Sequence, residues 1–514
     1  PGYFRRPLDN RTVREIYPNG FLPFIAPVIK NTNMSVGIET IINNWKCDIS
    51  ATYGNNIMEF NVKNSLNASM GIRSPQSFYC GQLISTQRLS NINLKRKYQL
   101  GINTPLLVAF GSEFCLENYE VMRGDESSYI DGGVAVIDGP NAGARTAPGA
   151  QVLPGFSPNN EIRRNRHNIA TYVDLETTIF KFLTLSGAAR GEKFSDFGET
   201  INGKISIRTD LTDFFAIRGS VGTGFRAPSL AQSFYSSTVT NFIDGVPYEN
   251  GTFNTEHPIA RQLGATKLKP ERSVHHNAGI VLKINKNLQL ILDTYFTTVS
   301  DRIVFTGNFT ATNAPVFAEL FTSYGIGGAR YFTNAIKTRT QGADITIEYD
   351  YKFNEKSSFT VISSTNLNRI SIVGKIRIPE QVIDYQNVFF DKGEMMRVTK
   401  SIPEFRSTTD FRYKFFNTIY LIKAHYFGPI TVVHGSNFVE QKIKNGFIFD
   451  ASVTHIIMNN LKFTIGALNI LNHYPEKQMT FDGDYFTGKI FPYSQFSPYG
   501  FSGAQIYFQI SLNF

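Results

Sequence analysis

The chain has 514 residues, is 42% hydrophobic and 13% aromatic, and carries a formal charge of +9. No stretch approaches the 18 or so consecutive apolar residues of a membrane helix, which excludes a helical membrane protein. Lys and Arg are scattered instead of gathered in one stripe, which excludes a nucleic-acid partner, and no linker divides a length that would ordinarily form two to four soluble domains.

In chain order, residues 1–33 are rich in Pro and Asn and are expected to be irregular, with strand pattern starting near Met34. Trp45, Cys47, Ile49, Ala51 and Tyr53 alternate with Lys46, Asp48, Ser50 and Thr52, and Met58, Phe60 and Val62 alternate with Glu59, Asn61 and Lys63. Successive strand side chains point to opposite faces, so each segment has one apolar and one polar face. Ala343, Ile345, Ile347, Tyr349, Tyr351 and Phe353 repeat the pattern against Asp344, Thr346, Glu348, Asp350 and Lys352. So does Phe405 to Phe415, where Arg406, Asp410, Arg412 and Lys414 form the polar side. The chain ends on Ala504, Ile506, Phe508, Ile510, Leu512 and Phe514, set against Gln505, Tyr507, Gln509, Ser511 and Asn513. A half-buried sheet in a soluble sandwich also gives a period of two, but charges at nearly every second position forbid a dry interior.

Connections sort by length. Short turns are expected at 211–213, 285–287, 354–357, 416–417 and 459–460, rich in the Asn and Asp that tolerate turn conformations. Between them lie long segments at about 120–165, 223–272, 301–341, 369–404 and 470–502. A soluble sandwich has no reason to place its long loops on one side, whereas a transmembrane barrel does. The expected fold is an all-β antiparallel transmembrane β-barrel, residues 1–514 forming one domain with about 19 strands. An odd count leaves an unpaired edge, so the start of the barrel is expected to be missing from this chain. Cys47, Cys80 and Cys115 have no close pair and no metal spacing, and no charged and apolar leader opens the chain.

Several segments carry a specific resemblance. Gly222-Thr223-Gly224-Phe225-Arg226-Ala227-Pro228-Ser229-Leu230 is followed by Leu268-Lys269-Pro270-Glu271-Arg272-Ser273, and Gly466-Ala467-Leu468-Asn469-Ile470-Leu471-Asn472-His473-Tyr474-Pro475 precedes the last strand. With Tyr17 to Pro23, Ala188 to Gly198, Asp301-Arg302-Ile303-Val304 and Thr340 to Asp344, these segments fall in an order that resembles TonB-dependent outer-membrane receptors. Leu471 departs from that family's pattern, which has Phe there. The resemblance implies a barrel of about 22 strands in the bacterial outer membrane. It implies energy-dependent uptake of a large scarce nutrient such as an iron–siderophore chelate. In such receptors a plug domain fills the lumen, and a TonB box ahead of it meets an inner-membrane complex. No plug domain and no TonB box are found in this sequence, which puts coupling to TonB in doubt for this chain alone and makes a plugless passive pore the alternative. A surface lipoprotein over the mouth is a further partner to consider.

No catalytic, cofactor-binding or metal-binding residues are expected. His275 and His276 are adjacent and face opposite sides of a strand, and His425 and His434 read as rim residues. A barrel hydrolase would need a nucleophile with His and carboxylate partners at a strand end, and none is evident. Gly222 to Gly224 read as a loop entry, with Arg226 held by carbonyls or carboxylates. Arg406, Asp410, Arg412 and Lys414 are expected on the lumen wall. Ligand contacts are sought at aromatic loop clusters: Phe234, Tyr235, Tyr324, Tyr331, Phe332, Tyr493 and Tyr499.

Overall fold

Asn43 and Asn44 both take positive φ, 50° and 66°, the conformation that lets a two-residue turn join strands without splaying them. They connect β1 (Phe24–Ile42) to β2 (Trp45–Lys63), whose ladder runs without a break from Phe24↔Lys63 to Ile42↔Trp45. This is a computed structural model, and it describes residues 4–243, 246–434, 438–458, 460–478, 492–494 and 496–512. The end of the last strand at Phe514 and the Asn459 side of one expected turn lie outside the described residues.

The antiparallel meander continues through β3 (Ser77–Tyr98), β4 (Leu106–Met122), β5 (Ile162–Phe180), β6 (Leu183–Phe194), β7 (Gly198–Thr212) and β8 (Phe215–Arg226). After β9 (Ser237–Ile243) and β10 (Val246–Phe253) come β11 (Glu271–Asn285), β12 (Leu288–Phe305), β13 (Phe309–Thr310), β14 (Ile326–Asn354) and β15 (Ser357–Ile372). Then follow β16 (Phe405–Phe415), β17 (Thr418–Phe427), β18 (Ile430–His434), β19 (Val439–Ile443), β20 (Gly446–Met458), β21 (Leu461–Leu468) and β22 (Gln505–Leu512). Twenty of these strands join one sheet, close to the nineteen expected, and β18 and β19 form a separate hairpin. Three of the twenty, β9, β10 and β13, pair above the wall with each other or with the upper part of β14; the remaining seventeen make the wall.

Several boundaries differ from expectation. Met58, Phe60 and Val62, read as belonging to a strand of their own after Tyr53, continue β2 on the face opposite Trp45 to Tyr53, and β9 and β10 lie within the expected loop at 223–272. The first strand starts at Phe24, not near Met34. Pro27, Asn31 and Asn33 blur its alternation, and among the described residues β1 has a ladder only to β2, so the N–H that Pro27 lacks is not needed by a second neighbour. The expected loop at 301–341 is partly strand, because β14 runs for 29 residues and its first part rises past the wall to pair with β10 and β13.

Short turns gather at one end and long connections at the other, the end that faces outward in membrane barrels. On β22, Ile506 and Phe508 are 74% and 78% exposed and share a face with Phe463 and Ile465 of β21 through the pairs Ile510↔Phe463 and Phe508↔Ile465. This is the lipid face. Aromatics band it at two levels. Phe405, Tyr426 and Phe447 meet edge to face in series near the long-loop end, with ring centroids 5.3 and 4.7 Å apart. Tyr413 stacks on Phe415 and Tyr420 near the short-turn end. Phe405 and Tyr413 stand eight residues apart on β16, about 20 Å along the membrane normal at ~3.3 Å per residue and a tilt of about 40°.

The opposite face is polar. Arg218 on β8 donates to Asp293 on β12 (Nε–Oδ1 2.8 Å), Arg190 to Glu113 (2.9 Å), and Lys423 meets Asp410 at 3.0 Å. Three close approaches lock neighbouring strands on this side: Tyr507 lies over Gly466, Tyr295 over Gly342 and Tyr172 over Gly111, leaving no room for a Cβ at any of the three glycines. Cys47, Cys80 and Cys115 are buried and unbridged.

Candidate functional site

The outer end is capped by a second, smaller core. It is built from α2 (Pro258–Gln262), α3 (Ala318–Ser323) and α4 (Gln386–Phe389), introduced here with α1 (Leu230–Phe234) and α5 (Lys392–Thr399). Ile259, Leu263, Phe309, Phe321, Tyr331, Val382 and Phe389 are buried together there, so the loops after β10, β12 and β15 form one packed layer. A rigid layer can hold recognition groups in place at the mouth.

Below it, the two resemblance segments meet. Arg226 at the end of β8 donates to Glu271 at the start of β11 through Nε (2.9 Å) and Nη2 (2.6 Å). Glu271 Oε1 also accepts from the backbone N–H of Ile303 on β12 (2.8 Å). One carboxylate thus ties three strands at the rim, and the expected carboxylate partner of Arg226 is found. The turn after β8 is pinned from the other side by Arg166 on β5. Its side chain is 5% exposed, and it donates to the Pro228 carbonyl (2.7 Å) and to Glu117. Ser229 then caps α1 by accepting from Gln232 N–H (3.0 Å), while the Gln232 side chain accepts from Ser229 N–H (3.1 Å). A strand end, a buried arginine and a capping box together fix where Phe234 emerges.

Phe234 and Tyr324, two of the sequence candidates, line one cleft of about 270 Å³ with Phe253, Asn254, His257 and Asn160. The His257 ring stacks on Phe253 with centroids 4.3 Å apart, and its Nδ1 accepts from Ile259 N–H (3.3 Å) at the start of α2. Burial holds its pKa below the ordinary imidazole value, so it is a neutral acceptor. The Arg164 guanidinium lies 5.1 Å over the Phe234 ring, with Glu256 3.9 Å away. A second arginine–aromatic pair, Arg330 over Phe305 (4.9 Å), includes the candidate Phe332, whose ring centroid is 3.8 Å from that of Phe305. A third, Arg397 over Phe496 (5.8 Å), opens onto a cleft of about 280 Å³ beside α5, where burial raises the Glu394 carboxyl pKa. A guanidinium stacked on a ring can still donate in its plane: Arg397 does so to Glu394 and Arg330 to Thr252 Oγ1 (3.1 Å), and their remaining N–H groups can serve an anion.

The other candidates fall elsewhere. Tyr331 is fully buried and donates to the Leu263 carbonyl (2.6 Å), so it belongs to the core of the outer layer and offers no surface to a ligand. Tyr235 packs behind Phe234, edge-on to Phe156. Tyr493 stacks on Tyr474 (5.4 Å) and Tyr499 lies tilted against Phe427 (5.7 Å); both belong to the loop before β22 and neither lines the Phe234 cleft. His275 bonds Ser273 (2.7 Å) and Thr297 (3.0 Å), while His276 faces lipid near Phe296. His425 bonds Thr408 (3.1 Å) and Asp450 (3.1 Å), and the His434 side chain lies outside the described residues. Sequence reading missed Arg164, His257 and Arg330, because nothing local marks a loop or strand-end residue as facing an aromatic ring from another segment.

A family model described as the TonB dependent receptor-like β-barrel matches residues 7–470. Among solved structures, the chain is similar to the siderophore receptor PirA from Acinetobacter baumannii, with a TM-score of 0.57 and 12% identity over 87% of this chain and 59% of that one. It is similar to the pyoverdine outer membrane receptor FpvA from Pseudomonas aeruginosa PAO1, with a TM-score of 0.60 and 12% identity over 96% and 62% of the two chains. The copper transporter OprC gives 0.53 and 11% over 87% and 59%. At these identities the likeness is one of fold, and the chain spans about six tenths of the length of the structures it matches. No curated protein sequence matches the chain.

Proposed function

Because the chain belongs to the TonB-dependent receptor family, whose β-barrel it carries in the bacterial outer membrane, we propose that it serves energy-dependent uptake of a large, scarce nutrient such as an iron–siderophore chelate. The observation that carries this reading is the packed outer layer, with arginines laid over Phe234, Phe305 and Phe496 at the mouth of a polar-walled barrel. Stacked guanidinium groups favour an anionic ligand with flat, polarizable parts, the description of many metal chelates.

Energy would reach such a ligand through a plug region in the lumen and a TonB-contacting segment ahead of it. The test is accumulation of a radiolabelled iron chelate by cells carrying or lacking the gene, with and without the proton-motive force. Accumulation that vanishes with the gene and with the force supports the proposal. Equal accumulation in all cells overturns it. Accumulation that needs the gene but not the force, together with a large steady conductance in planar bilayers, would replace it with a passive pore.

A further inference from the structure

On the lumen face of the wall, Arg166, Arg190, Arg208, Arg218 and Arg226 each bond a carboxylate. Strand β16 departs from that rule. Among the described residues its Arg406 and Arg412 form no ion pair, and neither does Lys414, two residues beyond Arg412 on the same face. All three are exposed.

Register explains why they stay uncompensated. Arg412 stands between Thr360 of β15 and Leu421 of β17, and Lys414 between Ser358 and Ile419. The residues of β15 that share this face, Ser358, Thr360, Ile362, Ser364 and Asn366, carry no charge. The carboxylates nearby are already engaged. Asp410 meets Lys423 at 3.0 Å; Asp450 is bonded to His425 (3.1 Å) and accepts from the Asn469 N–H (2.8 Å). Asp350, two strands away on β14, accepts from the Thr360 hydroxyl (2.5 Å).

The row also has a direction. Arg406 lies at the outer end, its guanidinium 5.1 Å over Phe427, against which Tyr499 of the last long loop is tilted. Lys414 is eight residues on, next to the short turn that joins β16 to β17. At ~3.3 Å per residue and a tilt of about 40° the two are about 20 Å apart along the membrane normal, most of the ~25 Å height of the apolar band. Lys423 lies between them, so cationic groups follow one line of the wall from the mouth to the short-turn rim.

We propose that this row is the transit path of an anionic chelate through the lumen: Arg406 receives it below the mouth, and Arg412 and Lys414 draw it down the wall along β16. The inference rests on the uptake reading above and names the route within it. Cations spaced along a low-dielectric wall favour an anion that has left bulk water, and unpaired ones do so without first giving up a partner. Leu421 and Ile419 add no hydrogen bonds, so each station holds the anion weakly enough to pass it on.

The test uses cells making the full-length protein with S358C, which sets a thiol opposite Lys414; Cys47, Cys80 and Cys115 are buried and give little background. The thiol is labelled from outside, in energised cells, with an anionic sulfonatoethyl and a cationic trimethylammonioethyl methanethiosulfonate, each rate divided by that of the same reagent with glutathione. The anionic reagent is expected to react about tenfold faster than the cationic one, the size of effect two nearby charges exert through water at physiological salt. In S358C/R412Q/K414Q the ratio should fall to about one, and in S358C/R412K/K414R it should be kept. Equal rates in S358C, a ratio that survives the glutamine changes, or protection from both reagents, which would assign the row to a contact inside the protein, would each overturn the proposal. If the glutamine variant does not fold, the ratio in S358C decides alone.

Uptake of radiolabelled iron(III) citrate by R412Q/K414Q gives the second readout. Its maximal rate should drop about fivefold with the half-saturating concentration unchanged, because the charges act after capture at the mouth. A wild-type maximal rate in that variant would overturn the route. No accumulation by wild-type cells would count against uptake of such chelates, and the labelling ratio would still judge the row by itself.

Discussion

Arg226 and Glu271 come within 2.6 Å of each other at the outer rim, and this one contact joins the Gly-Phe-Arg-Ala-Pro end of β8 to the Leu-Lys-Pro-Glu start of β11 across a connection of more than forty residues. Glu271 is 8% exposed and serves a backbone N–H of β12 as well. Replacing Glu271 with Ala should lower stability by about 1–3 kcal/mol, the usual range for a buried donor left without its partner, and Arg226→Ala should lower it less, because the arginine side chain is half exposed. Heat-modifiable gel mobility of the two variants and of the double variant checks this; additive effects would mean that the pair is not coupled.

A second expectation concerns binding. Phe234→Ala and Tyr324→Ala should each weaken ligand binding by about tenfold while leaving the melting temperature within a degree or two, as for single aromatic contacts at a recognition site. Tyr331→Phe should do the opposite. It removes the hydroxyl that serves the Leu263 carbonyl and should cost about 1–2 kcal/mol of stability with affinity kept. Isothermal titration alongside thermal melting separates the two outcomes.

His257 makes the outer layer sensitive to acid. Its folded pKa lies below its unfolded value of 6.5, so the unfolded chain binds the proton more readily. Stability is therefore full above about pH 6.5 and declines as pH falls through the window beneath it. Protection factors in residues 253–263, that is, exchange corrected for the intrinsic pH dependence of the amide, should fall as pH drops from about 7.5 to about 5, and His257→Gln should flatten that dependence. An unchanged pH profile in the variant would assign the effect to another group.

The tyrosine-over-glycine contacts give a fourth prediction. A Cβ at Gly342 would collide with both the Leu367 carbonyl and the Tyr295 ring. Gly342→Ala should destabilise the wall by about 1–3 kcal/mol, whereas at Gly466 the neighbours are atoms of the Tyr507 ring alone, so Gly466→Ala should be milder. Urea midpoints of the two variants test the ranking.

Much of the wall was legible in the sequence because period-two alternation is a direct record of two solvents. Trp45 to Tyr53, Ala343 to Phe353 and Phe405 to Phe415 all lie in strands with the expected faces. The start of β1 was hidden by Pro27 and by asparagines that an edge strand tolerates, and the rise of β14 above the membrane was hidden because a strand leaving lipid loses its alternation. The mouth was legible only in part. Phe234 and Tyr324 could be chosen from loop aromatics, but a buried core tyrosine such as Tyr331 looks the same in sequence as an exposed one. The partners of Arg164 and Arg330 are set by tertiary placement.

The ladders of the wall join strands that follow one another around the barrel, with intervening loop strands only where β8 meets β11, β12 meets β14 and β17 meets β20. Such a wall can be laid down hairpin by hairpin, since the entropy of closing a loop grows only with the logarithm of its length. The late events in assembly should then be the longest closures, β8 to β11, β4 to β5, β21 to β22 and β15 to β16, and the Arg226–Glu271 contact, which seals the longest of them, would act as the latch that commits the second half of the wall to the register of the first.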